Sequence, residues 1–528
     1  MLSHHVIALP TPSEMAAWDR AAMDDYGLPE IMLMENASRE AMDVLRLEYG
    51  DVRGALALIF AGPGNNGGDA IALARHLDNA GAHALVLHTK PKRLYKGAAG
   101  QHLRLAQAQG VDMHYLGGAD PDALAGRFGL PDIVVDGLLG TGFSGELRGD
   151  MLNLVRTINL LGQCAFVLAL DTPTGLDGLT GRACPLAVAA DATVSFEEAK
   201  LGLAMPDAEP WVGALHAREI GIPEPVKQAR PAGCALLTEA VYELMPEPDP
   251  AMHKGTAGHV LVAGGSPGLT GAPVLAALGA LRGGAGLATV ALPEGLCPEA
   301  KAGQPDVMAL PLGQGNNGGR AWDADMAEEL AASLAATPNR FGALALGPGL
   351  GRDKAAGEAL AALLPGLRLP LVLDADALYW LAGQPDGVPG PDAVITPHPG
   401  EAARLLGVDT ASVQADRLGA ARALAASRGC VTVLKGAGTV IAEPDGRTLL
   451  SPFASPNLAV GGAGDVLAGL LASLLARGLA PLDASALAVY WHGHAGALLE
   501  EEYPLRGNLP RDIADALPRV PKEWLEDA

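Results

Sequence analysis

The chain has 528 residues, which is too long for one hydrophobic core, since single cores rarely grow past about 250–300 residues. Hydrophobic residues make up 49% of the sequence and exclude a mostly disordered protein. The 37 basic residues stand against 60 acidic residues, for a net charge of -23, so we expect no general affinity for nucleic acids or membrane surfaces.

In the first half, continuous apolar segments alternate with segments that have a helical pattern. This alternation is typical of parallel strands that helices bury on both faces. The predicted helices cover residues 14–26, 37–48 and 69–79, and the predicted strands cover residues 55–61, 84–89, 133–136, 165–171 and 192–196.

The second half repeats the pattern after a proline-rich stretch at 222–233, which we interpret as a linker. We therefore predict two domains, 1–226 and 227–528, each a three-layer α/β/α sandwich. The clearest helices of the second domain are predicted at 272–282 and 465–476, and its strands at 259–264, 287–291, 343–346, 371–374, 393–396, 431–435 and 439–442.

The five cysteines lie far apart and form no CxxC pair, which excludes a disulfide scaffold and a zinc site. Residues 1–20 show no secretory pattern, and no apolar run of about 18 residues predicts a membrane span. Free thiols are typical of a reducing compartment, so we expect a cytoplasmic protein.

The sequence GPGNNGGD at 62–69 joins a predicted strand to a predicted helix, which is the ligand-binding edge of an open α/β sheet. Its glycines let the backbone approach a ligand, and amides at a helix start hold phosphate. The side-chain carbonyls of Asn65 and Asn66 suit a monovalent cation or a ribose. An ordinary glycine turn is the alternative, but it requires fewer glycines and asparagines than this.

Two aspartates end predicted strands of the same sheet. Asp136 opens DGLLGTGFSGE at 136–146, and Asp171 opens DTPTGLD at 171–177. Either aspartate alone is equally well explained as a helix cap or turn former. With the glycine loop, however, the strand ends of a parallel sheet bring them to one crevice.

These segments, with ADATVSFEEAK at 190–200, resemble the YjeF N-terminal family of NAD(P)H-hydrate epimerases over about residues 10–220. The resemblance implies that Asn66, Asp136 and Thr174 coordinate K⁺, although the family usually has Ser where this chain has Thr174. It implies that Asp171 faces the hydrated ring as the proton-transfer group. Lys200 stands where relatives often carry lysine, and a solvated or capping lysine is the alternative. The implied substrate-binding residues are Asn65, Asn66, Gly67, Gly68, Asp69, Gly140, Thr141, Gly142, Phe143, Ser144, Gly145, Glu146 and Asp171.

In the second half, LKGAGT at 434–439 suits the phosphates of a nucleotide, and GGAGD at 461–465 opens an apolar helix whose amides form an anion hole. Asp465 can accept a proton from a hydroxyl that is being phosphorylated. A packing motif with a charge favourable to the helix dipole is the alternative. His398 lies between two prolines at a strand end, which favours a functional histidine over a core or surface one.

The GGAGD element resembles the anion hole and catalytic aspartate of the ribokinase-like superfamily. The wider set (HKGTAG, GLTGAPVLAA, LGPGLG, DADAL, TPHPGE, LKGAGT, GGAGDVLAG) resembles the ADP- or ATP-dependent NAD(P)H-hydrate dehydratases over about residues 236–515. Ala463 replaces a common Thr, which leaves phosphate binding to the amides. The implied hydrate-binding residues are Ala272, Gly349, His398 and Asp465, and the implied nucleotide-binding residues are Lys435, Gly436, Ala437, Gly438, Thr439 and Gly464.

The two resemblances predict a Rossmann-like epimerase domain followed by a ribokinase-like dehydratase domain. The first would interconvert the R and S forms of NAD(P)H hydrate, by proton exchange or by ring opening near Asp171. The second would dehydrate the S form with ADP, yielding AMP and phosphate. K⁺ in the first domain, Mg²⁺ with ADP in the second and a homo-oligomer are also implied. Whether the donor is ADP or ATP, and whether NADH or NADPH hydrate is preferred, stays open.

Two other classes of function remain. A small-molecule kinase, for a vitamin or a sugar, fused to a nucleotide-binding module would share GGAGD but release a stable phosphorylated product. A binding or scaffold protein would have lost the activity of its first half. The presence of Asp136, Asp171 and every loop glycine argues against the second alternative.

Overall fold

The computed structural model describes residues 5–116, 126–313, 319–385 and 388–521. The chain divides into two compact units. The N-terminal unit is Ala8–Cys234, and the C-terminal unit comprises the described residues of Met1–Ile7 and Ala235–Ala528. The division therefore falls later than the predicted 226/227 boundary, and it assigns the first residues of the chain to the C-terminal unit.

The N-terminal unit is built on a seven-stranded sheet with the order β4-β3-β2-β5-β6-β7-β8, in which each neighbouring pair is parallel. Numbering follows the chain, and β1 (Val6–Ala8) belongs to the other sheet. The strands are β2 (Leu56–Ala61), β3 (His83–His88), β4 (Asp112–Tyr115), β5 (Ile133–Gly137), β6 (Phe166–Leu170), β7 (Ala192–Phe196) and β8 (Ala214–Arg218).

Both faces of this sheet are covered at its centre, which explains why its central strands, such as β2 and β6, are continuous apolar runs. On β2, Ile59 packs into one core cluster while its neighbours Leu58 and Phe60 pack into another. These three residues have no exposed surface. Burial of alternate residues in two separate cores is the signature of a three-layer α/β/α sandwich.

The three helices predicted in the N-terminal unit are present, but their starts differ from the prediction, and the second begins at Glu30 instead of residue 37. The helix predicted from Asp69 begins at Asn65, so part of the glycine loop forms its first turn. The prediction was wrong because the glycines were taken as turn residues. The helices are α1 (Pro12–Asp24), α2 (Glu30–Glu48), α3 (Asn65–Asn79), α4 (Gly97–Gln109), α5 (Gly149–Leu161), α6 (Glu209–Val212) and α7 (Glu224–Ala229).

The predicted linker is a folded part of the N-terminal unit. It contains α7, and Val226 is 1% exposed. The indole of Trp18 donates to the carbonyl of Arg230 at 2.7 Å, and the amide of Gly233 donates to Glu14 at 3.0 Å. The prolines that indicated a linker allow this, because two of them occupy the N-cap and the first turn of α7, where no helical amide is needed.

The C-terminal unit contains an eleven-stranded sheet with the order β1-β9-β18-β17-β16-β15-β14-β13-β10-β11-β12. Neighbours from β16 through β12 are parallel, whereas β16, β17 and β18 pair antiparallel. The strands are β9 (Cys234–Leu237), β10 (His259–Ala263), β11 (Leu287–Pro293), β12 (Met308–Leu312), β13 (Ala343–Leu346), β14 (Leu371–Leu373), β15 (Ala393–Ile395), β16 (Val431–Leu434), β17 (Val440–Ala442) and β18 (Thr448–Leu450).

Two helices of this unit, Gly271–Arg282 and Ala463–Ala476, pack closely because a glycine of each one faces the backbone of the other. A Cβ on Gly279 would lie 2.3 Å from the carbonyl oxygen of Val466, and one on Gly469 would lie 1.8 Å from that of Ala276. The helices are α8 (Gly271–Arg282), α9 (Cys297–Lys301), α10 (Ala324–Ala336), α11 (Lys354–Leu363), α12 (Asp376–Leu381), α13 (Pro399–Leu406), α14 (Thr410–Ala415), α15 (Arg417–Arg428), α16 (Ala463–Ala476), α17 (Pro481–Glu502) and α18 (Pro510–Ala516).

Both units are thus α/β folds on mainly or wholly parallel sheets, as predicted. Short 3₁₀ turns complete the regular structure, at Lys92–Leu94, Leu201–Ala204, Pro206–Ala208, Glu239–Leu244, Glu294–Leu296, Leu364–Gly366 and Pro456–Leu458. Within the described ranges, no helix has the length and apolar character needed to cross a membrane.

Candidate functional site

The predicted loops of the N-terminal unit start from adjacent strands. β2, β5 and β6 are neighbours in the sheet, and parallel pairing places their carboxyl ends at one edge. The glycine loop follows β2, Asp136 lies near the end of β5 and Asp171 follows β6. This edge is where an open parallel sheet binds ligands.

Asp136 is fully buried, and Thr174, which follows the neighbouring strand β6, donates two hydrogen bonds to its carboxylate. The Thr174 amide donates to one carboxylate oxygen at 2.7 Å, and the Thr174 hydroxyl donates to the other at 2.7 Å. Burial raises the pKa of Asp136 to about 6, although the bonds from Thr174 act in the opposite direction. A nearby cation would offset the cost of ionising this carboxyl group.

The third predicted K⁺ ligand belongs to the same cluster. The side-chain amide of Asn66 donates to the Leu139 carbonyl at 2.8 Å, and the Thr174 hydroxyl lies 3.3 Å from that carbonyl. The Oδ1 atom of Asn66 is buried and has no hydrogen-bond partner among the described residues. Because an unpartnered buried carbonyl is costly, this oxygen fits a cation ligand, and so does the donor set of amide, hydroxyl and carboxylate.

Asp171 lies in the left-handed backbone region, with φ of 63°. Its Oδ1 accepts a bond from the Lys200 ammonium at 2.5 Å, and its Oδ2 accepts from the amide and hydroxyl of Thr141 at 2.9 and 3.0 Å. Burial alone would raise the pKa of Asp171, but Lys200 and Thr141 lower it below the ordinary value. The carboxylate is therefore charged at neutral pH, and its strained backbone marks a functional position.

Lys200 is a buried lysine, 1% exposed, and it follows β7 in the chain. Besides Asp171, its ammonium donates to the Ser195 hydroxyl at 3.1 Å and the Phe196 carbonyl at 2.8 Å. All three donor positions are thus used inside the protein. The alternative of a solvated lysine is wrong, because the side chain is enclosed.

The loop after Asp136 must be glycine at position 140. A Cβ there would lie 2.7 Å from Oδ2 of Asp171 and 3.3 Å from the side chain of Asn66. Any side chain would displace the Asp171 carboxylate or the K⁺ cluster. Gly140 thus brings the backbone close to both groups.

These residues border a cavity of about 560 Å³ in the N-terminal unit. Eight of the predicted substrate-binding residues line it: Asn65, Asn66, Asp69, Gly140, Thr141, Gly142, Phe143 and Asp171. Its other described lining residues include Met15, Asp19, Met23, Glu30, Leu33, Met34, Ala37, Leu138, Phe196, Lys200 and Ile220. A volume of this size accommodates a small-molecule ligand, and the walls combine apolar side chains with a few charged groups.

The other five predicted substrate-binding residues of the N-terminal unit are not among the described residues that line this cavity. Gly67 and Gly68 pack against protein, since a Cβ on them would meet the Gly62 carbonyl at 1.7 Å and the Met34 side chain at 2.6 Å. Ser144, Gly145 and Glu146 are exposed beyond the cavity wall. Their assignment to the substrate stays a prediction.

Asp19 of α1 also lines the cavity, although no sequence motif had indicated it. Burial raises the pKa of Asp19 to about 6, with Lys200 opposing and Asp171 reinforcing that shift. The available signal was its position one turn after buried Met15 and next to buried Trp18. A carboxylate on an apolar helix face indicates a functional group.

The C-terminal unit contains a second cavity, of about 330 Å³, beside the lysine turn. Five of the predicted nucleotide-binding residues line it: Lys435, Gly436, Ala437, Thr439 and Gly464. The sixth, Gly438, lies behind the turn, where its amide donates to the Phe453 carbonyl at 3.0 Å. Apolar side chains complete the wall: Phe453, Pro456, Leu458, Leu467 and Val489.

The GGAGD element starts α16 as predicted, but the helix begins two positions before the predicted start at Asp465. Ala463 is the first helical residue, and the N-cap Gly462 has φ of 102° and no side-chain cap bond. The Ala463 amide donates to the Val460 carbonyl at 3.2 Å, whereas among the described residues no hydrogen bond is made by the amides of Gly464 and Asp465, which stay available to an anion. His492 lies 3.1 Å from the Ala463 carbonyl, and burial lowers its pKa to about 4, so this imidazole is neutral.

Lys435 connects the nucleotide cavity to a group of carboxylates. Its ammonium donates to Asp374 at 2.6 Å, and Asp374 also accepts from the Thr396 hydroxyl at 2.8 Å. Burial and the charge of Asp374 raise the pKa of Asp465 to about 7, with Lys435 opposing. Burial raises the pKa of Glu401 to about 7 in the same surroundings. The sequence analysis had not singled out Glu401.

The predicted hydrate-binding residues fall into two places. His398 caps α13, because its Nδ1 accepts from the Gly400 amide at 3.0 Å, and burial lowers its pKa with Lys435 reinforcing the shift. Ala272 and Gly349 form a separate contact, where a Cβ on Gly349 would lie 3.3 Å from that of Ala272. Electrostatic neighbours place His398 near Asp374 and Lys435, whereas the contacts described here do not join Ala272 and Gly349 to them.

Comparison with known proteins identifies the family. A family model described as NAD(P)H-hydrate dehydratase matches residues 260–519, and one described as YjeF-related protein N-terminus matches residues 30–202. A bifunctional NAD(P)H-hydrate repair enzyme of Moorella thermoacetica is 39% identical over 525 residues, covering 98% of this chain and 97% of the relative. This chain belongs to the bifunctional NAD(P)H-hydrate repair enzyme family.

Another member of the family, from Salinibacter ruber, is 37% identical over 97% of this chain and 96% of its own. A solved ADP/ATP-dependent NAD(P)H-hydrate dehydratase from Bacillus subtilis, crystallised with ATP and Mg²⁺, is 35% identical, with a TM-score of 0.47, and spans 54% of this chain and 96% of its own. The predicted family and two-activity enzyme are confirmed, and the kinase and scaffold alternatives are not supported by these full-length relatives.

Proposed function

We propose that the C-terminal unit dehydrates the S form of NAD(P)H hydrate with ADP as the phosphoryl donor. The observation that carries this proposal is Asp465, a carboxyl group with a pKa of about 7 in the first turn of a helix that has no side-chain cap. A base that titrates near neutral pH can take the proton of a hydroxyl, and the amides can hold the transferring phosphoryl group.

The chemistry explains why a kinase-like site suits a dehydratase. Hydroxide leaves poorly from C6 of the hydrated ring. Asp465 takes the proton of this hydroxyl as its oxygen attacks the terminal phosphorus of ADP, releasing AMP. Phosphate then leaves C6 while the lone pair of the ring nitrogen forms the N1–C6 double bond, and loss of a proton from C5 restores NAD(P)H.

The lysine turn orients the donor. Lys435 lines the nucleotide cavity, and its ammonium donates to Asp374. Its positive charge therefore lies between the nucleotide and the carboxylates of Asp374, Glu401 and Asp465. Mg²⁺ entering with ADP would neutralise phosphate charge, and carboxylates such as Glu401 are the donor type that this ion prefers. Ala437 and Thr439 would contact the nucleotide, and Ala272, Gly349 and His398 the hydrate.

Asp465→Asn tests this proposal. We expect at least a 100-fold loss in the recovery of NADH absorbance from (S)-NADH hydrate with ADP, because the base is lost while size is kept. Parallel assays with ATP establish the donor. Epimerisation of the R form by the same variant should stay at the wild-type rate, which shows that the chain is folded. Wild-type recovery by Asp465→Asn, or release of a stable phosphorylated dinucleotide by the wild type, would contradict the proposal.

We further propose that the N-terminal unit interconverts the R and S forms, with Asp171 as the proton-transfer group. Support comes from its charged carboxylate on the cavity wall and from Lys200, which holds it. K⁺ held by Asn66, Asp136 and Thr174 would neutralise Asp136 and fix Leu139 against the start of α3. The loop residues 65–69 and 140–146 would hold the dinucleotide.

Asp171→Asn tests the epimerase. Repair of the R form with ADP should fall to the rate that spontaneous epimerisation allows, while repair of the S form is unchanged. Replacing K⁺ by Na⁺ in the buffer should slow repair of the R form. Equal repair of both forms by Asp171→Asn would refute the role of this residue.

Four further expectations complete the proposal. The N-terminal and C-terminal units, for which the sequence predicts the bounds 1–226 and 227–528 and the structure a division after Cys234, would carry one activity each, and the small-molecule substrates would be hydrated NADH or NADPH and ADP. A cytoplasmic location fits the repair of these cofactors. We also propose a homo-oligomer, which sedimentation of the purified protein would test.

A further inference from the structure

Asp69 lines the epimerase cavity, and none of the described residues pairs with its carboxyl group. It lies in α3, is 8% exposed and lines the cavity together with Asp171. In the described part of the chain, no hydrogen bond or ion pair reaches its carboxyl group. A buried polar side chain without a partner is costly unless a ligand or proton satisfies it.

The surroundings of Asp69 oppose its ionisation. Asp19 on α1, Glu30 on α2 and Asp171 after β6 all add negative charge, and only Lys200 after β7 opposes them. Burial is the largest effect, and the pKa of Asp69 is raised well above its ordinary value. The pKa of Asp171 is shifted in the opposite direction, because Lys200 and Thr141 stabilise its charged carboxylate.

We propose that Asp69 is the general acid and Asp171 the general base of an epimerisation that opens the hydrated ring. Both carboxyl groups line one cavity, and their surroundings shift their pKa values in opposite directions, which is the arrangement of an acid–base pair. The inference rests on the proposed epimerase function and assigns Asp69 a catalytic role beyond substrate binding.

The step balances without another reactant. Asp171 takes the proton of the C6 hydroxyl, the C6–O bond becomes a carbonyl, and the C6–N1 bond breaks. Asp69 gives its proton to N1, whose electrons are conjugated with the ring carboxamide. Rotation about C5–C6 turns the aldehyde, and N1 attacks its other face while both protons return. The ring closes in the opposite configuration, and each aspartate recovers its initial state.

In ring opening, each aspartate has the same protonation state before and after the reaction. This property distinguishes ring opening from a route in which water leaves C6 and returns. In the second route, one carboxyl group would protonate the departing hydroxyl and the other would deprotonate water arriving on the opposite face. The two groups would then exchange protonation states at every inversion. The Lys200 ion pair, 2.5 Å long, holds Asp171 charged and disfavours that exchange.

An isotope experiment separates the routes. Pure (R)-NADH hydrate is incubated with the full-length enzyme in H₂¹⁸O without nucleotide, so that no dehydration occurs, and the S form is analysed by mass spectrometry. Ring opening keeps the original C6 oxygen, so we expect incorporation no higher than in the enzyme-free control. One ¹⁸O atom per inversion would overturn the proposal.

Asp69→Asn tests the acid in the same assay. We expect kcat to fall by about 100- to 10,000-fold, since asparagine has the same shape but cannot give a proton. The alkaline fall of the wild-type pH profile should disappear in the variant. Asp43→Asn, on the exposed surface of α2, serves as the matched control and should keep the wild-type rate. Dehydration of the S form with ADP by Asp69→Asn should be unchanged, which shows that it is folded.

Failure of the Asp69 assignment and failure of the proposed epimerase function give different results. Asp69→Asn that epimerises within threefold of the wild type would overturn the acid assignment alone. A wild-type rate equal to the enzyme-free rate would refute the epimerase function and this proposal with it.

Discussion

Aspartates in this chain differ in protonation because their neighbours differ. Asp171 has Lys200 at 2.5 Å and a lowered pKa, whereas burial without a cation raises the pKa of Asp136 to about 6. Asp465 is raised further, to about 7, because Asp374 adds its charge to the effect of burial. The residue type alone therefore does not assign acid or base; the local charges do.

The Asp171–Lys200 pair should also stabilise the fold. Because its folded pKa is lowered, Asp171 contributes stability above the ordinary pKa of aspartate, and this is lost as pH falls through the lowered value. Lys200→Met leaves a buried charge without a partner, so we expect the free energy of unfolding at pH 7 to fall by about 3–5 kcal/mol. Denaturant unfolding measures this change, and adding Asp171→Asn should restore most of the loss. Wild-type stability of Lys200→Met would contradict the expectation.

The effect of Asp465 on stability should depend on pH in the opposite sense to that of Asp171. Its folded pKa is raised, so its ionisation destabilises the protein increasingly as pH rises from about 4 towards about 7. We expect Asp465→Asn to be more stable than the wild type at pH 8, by up to about 4 kcal/mol. Thermal unfolding at pH 8 tests this, and pH 4, where both proteins should be alike, is the control. A variant less stable than the wild type at pH 8 would show that the carboxylate is not destabilising.

At the scale of elements, glycines position the ligand edge by letting backbones touch. A Cβ on Gly62 would lie 1.9 Å from the Leu138 carbonyl, and one on Gly67 would lie 1.7 Å from the Gly62 carbonyl. The start of α3, the loop before it and the end of β5 are therefore stacked backbone on backbone. This contact brings Asn66 to the Leu139 carbonyl.

A substitution in this stack should be costly. Gly67→Ala places a methyl group against a backbone carbonyl that cannot rotate away, so we expect a loss of about 1–3 kcal/mol in unfolding free energy. Gly142→Ala is the matched control, since its Cβ would have no neighbour within 4 Å, and its stability should equal that of the wild type. Thermal denaturation of both variants compares them, and equal midpoints would disprove the close packing.

At the scale of the whole molecule, the chain separates into two units whose boundary is set by burial. α7 belongs to the N-terminal unit, although its sequence is rich in proline. Lys227 on α7 lies 3.0 Å from Glu197, a carboxylate that is 1% exposed in its side chain. Cutting the chain within α7 removes the cation that compensates this buried charge.

Two fragments test this boundary. The fragment 8–226 lacks Lys227, the acceptor of the Trp18 bond and the amide that binds Glu14. We expect it to unfold roughly 5–15 °C below the fragment 8–234, because an unpaired buried charge costs several kcal/mol. Lys227→Met in the longer fragment isolates the ion-pair effect. Equal midpoints for the two fragments would show that α7 contributes nothing.

Much of this protein was predictable from local sequence. Strands buried on both faces are encoded by continuous apolar runs, so β2, β5, β6 and β7 were predicted within a residue or two. The glycine motifs placed Asn66, Asp136 and Asp171 at one edge. The strands β4 and β8, which carry polar residues, had no comparable signal. In the second sheet β17 was predicted, but β18 and the antiparallel pairing of both strands were not.

The sequence by itself determined two α/β units, their order and the motifs at their strand ends, because periodicity and turn residues act over a few positions. Only the tertiary structure decided that Lys200 pairs with Asp171, that Asp19 reaches the cavity and that Asp69 lacks a partner among the residues that the structure describes. It also decided that the proline-rich segment folds onto the first unit. These features depend on burial and charge supplied by segments far apart in the chain, which no local pattern records.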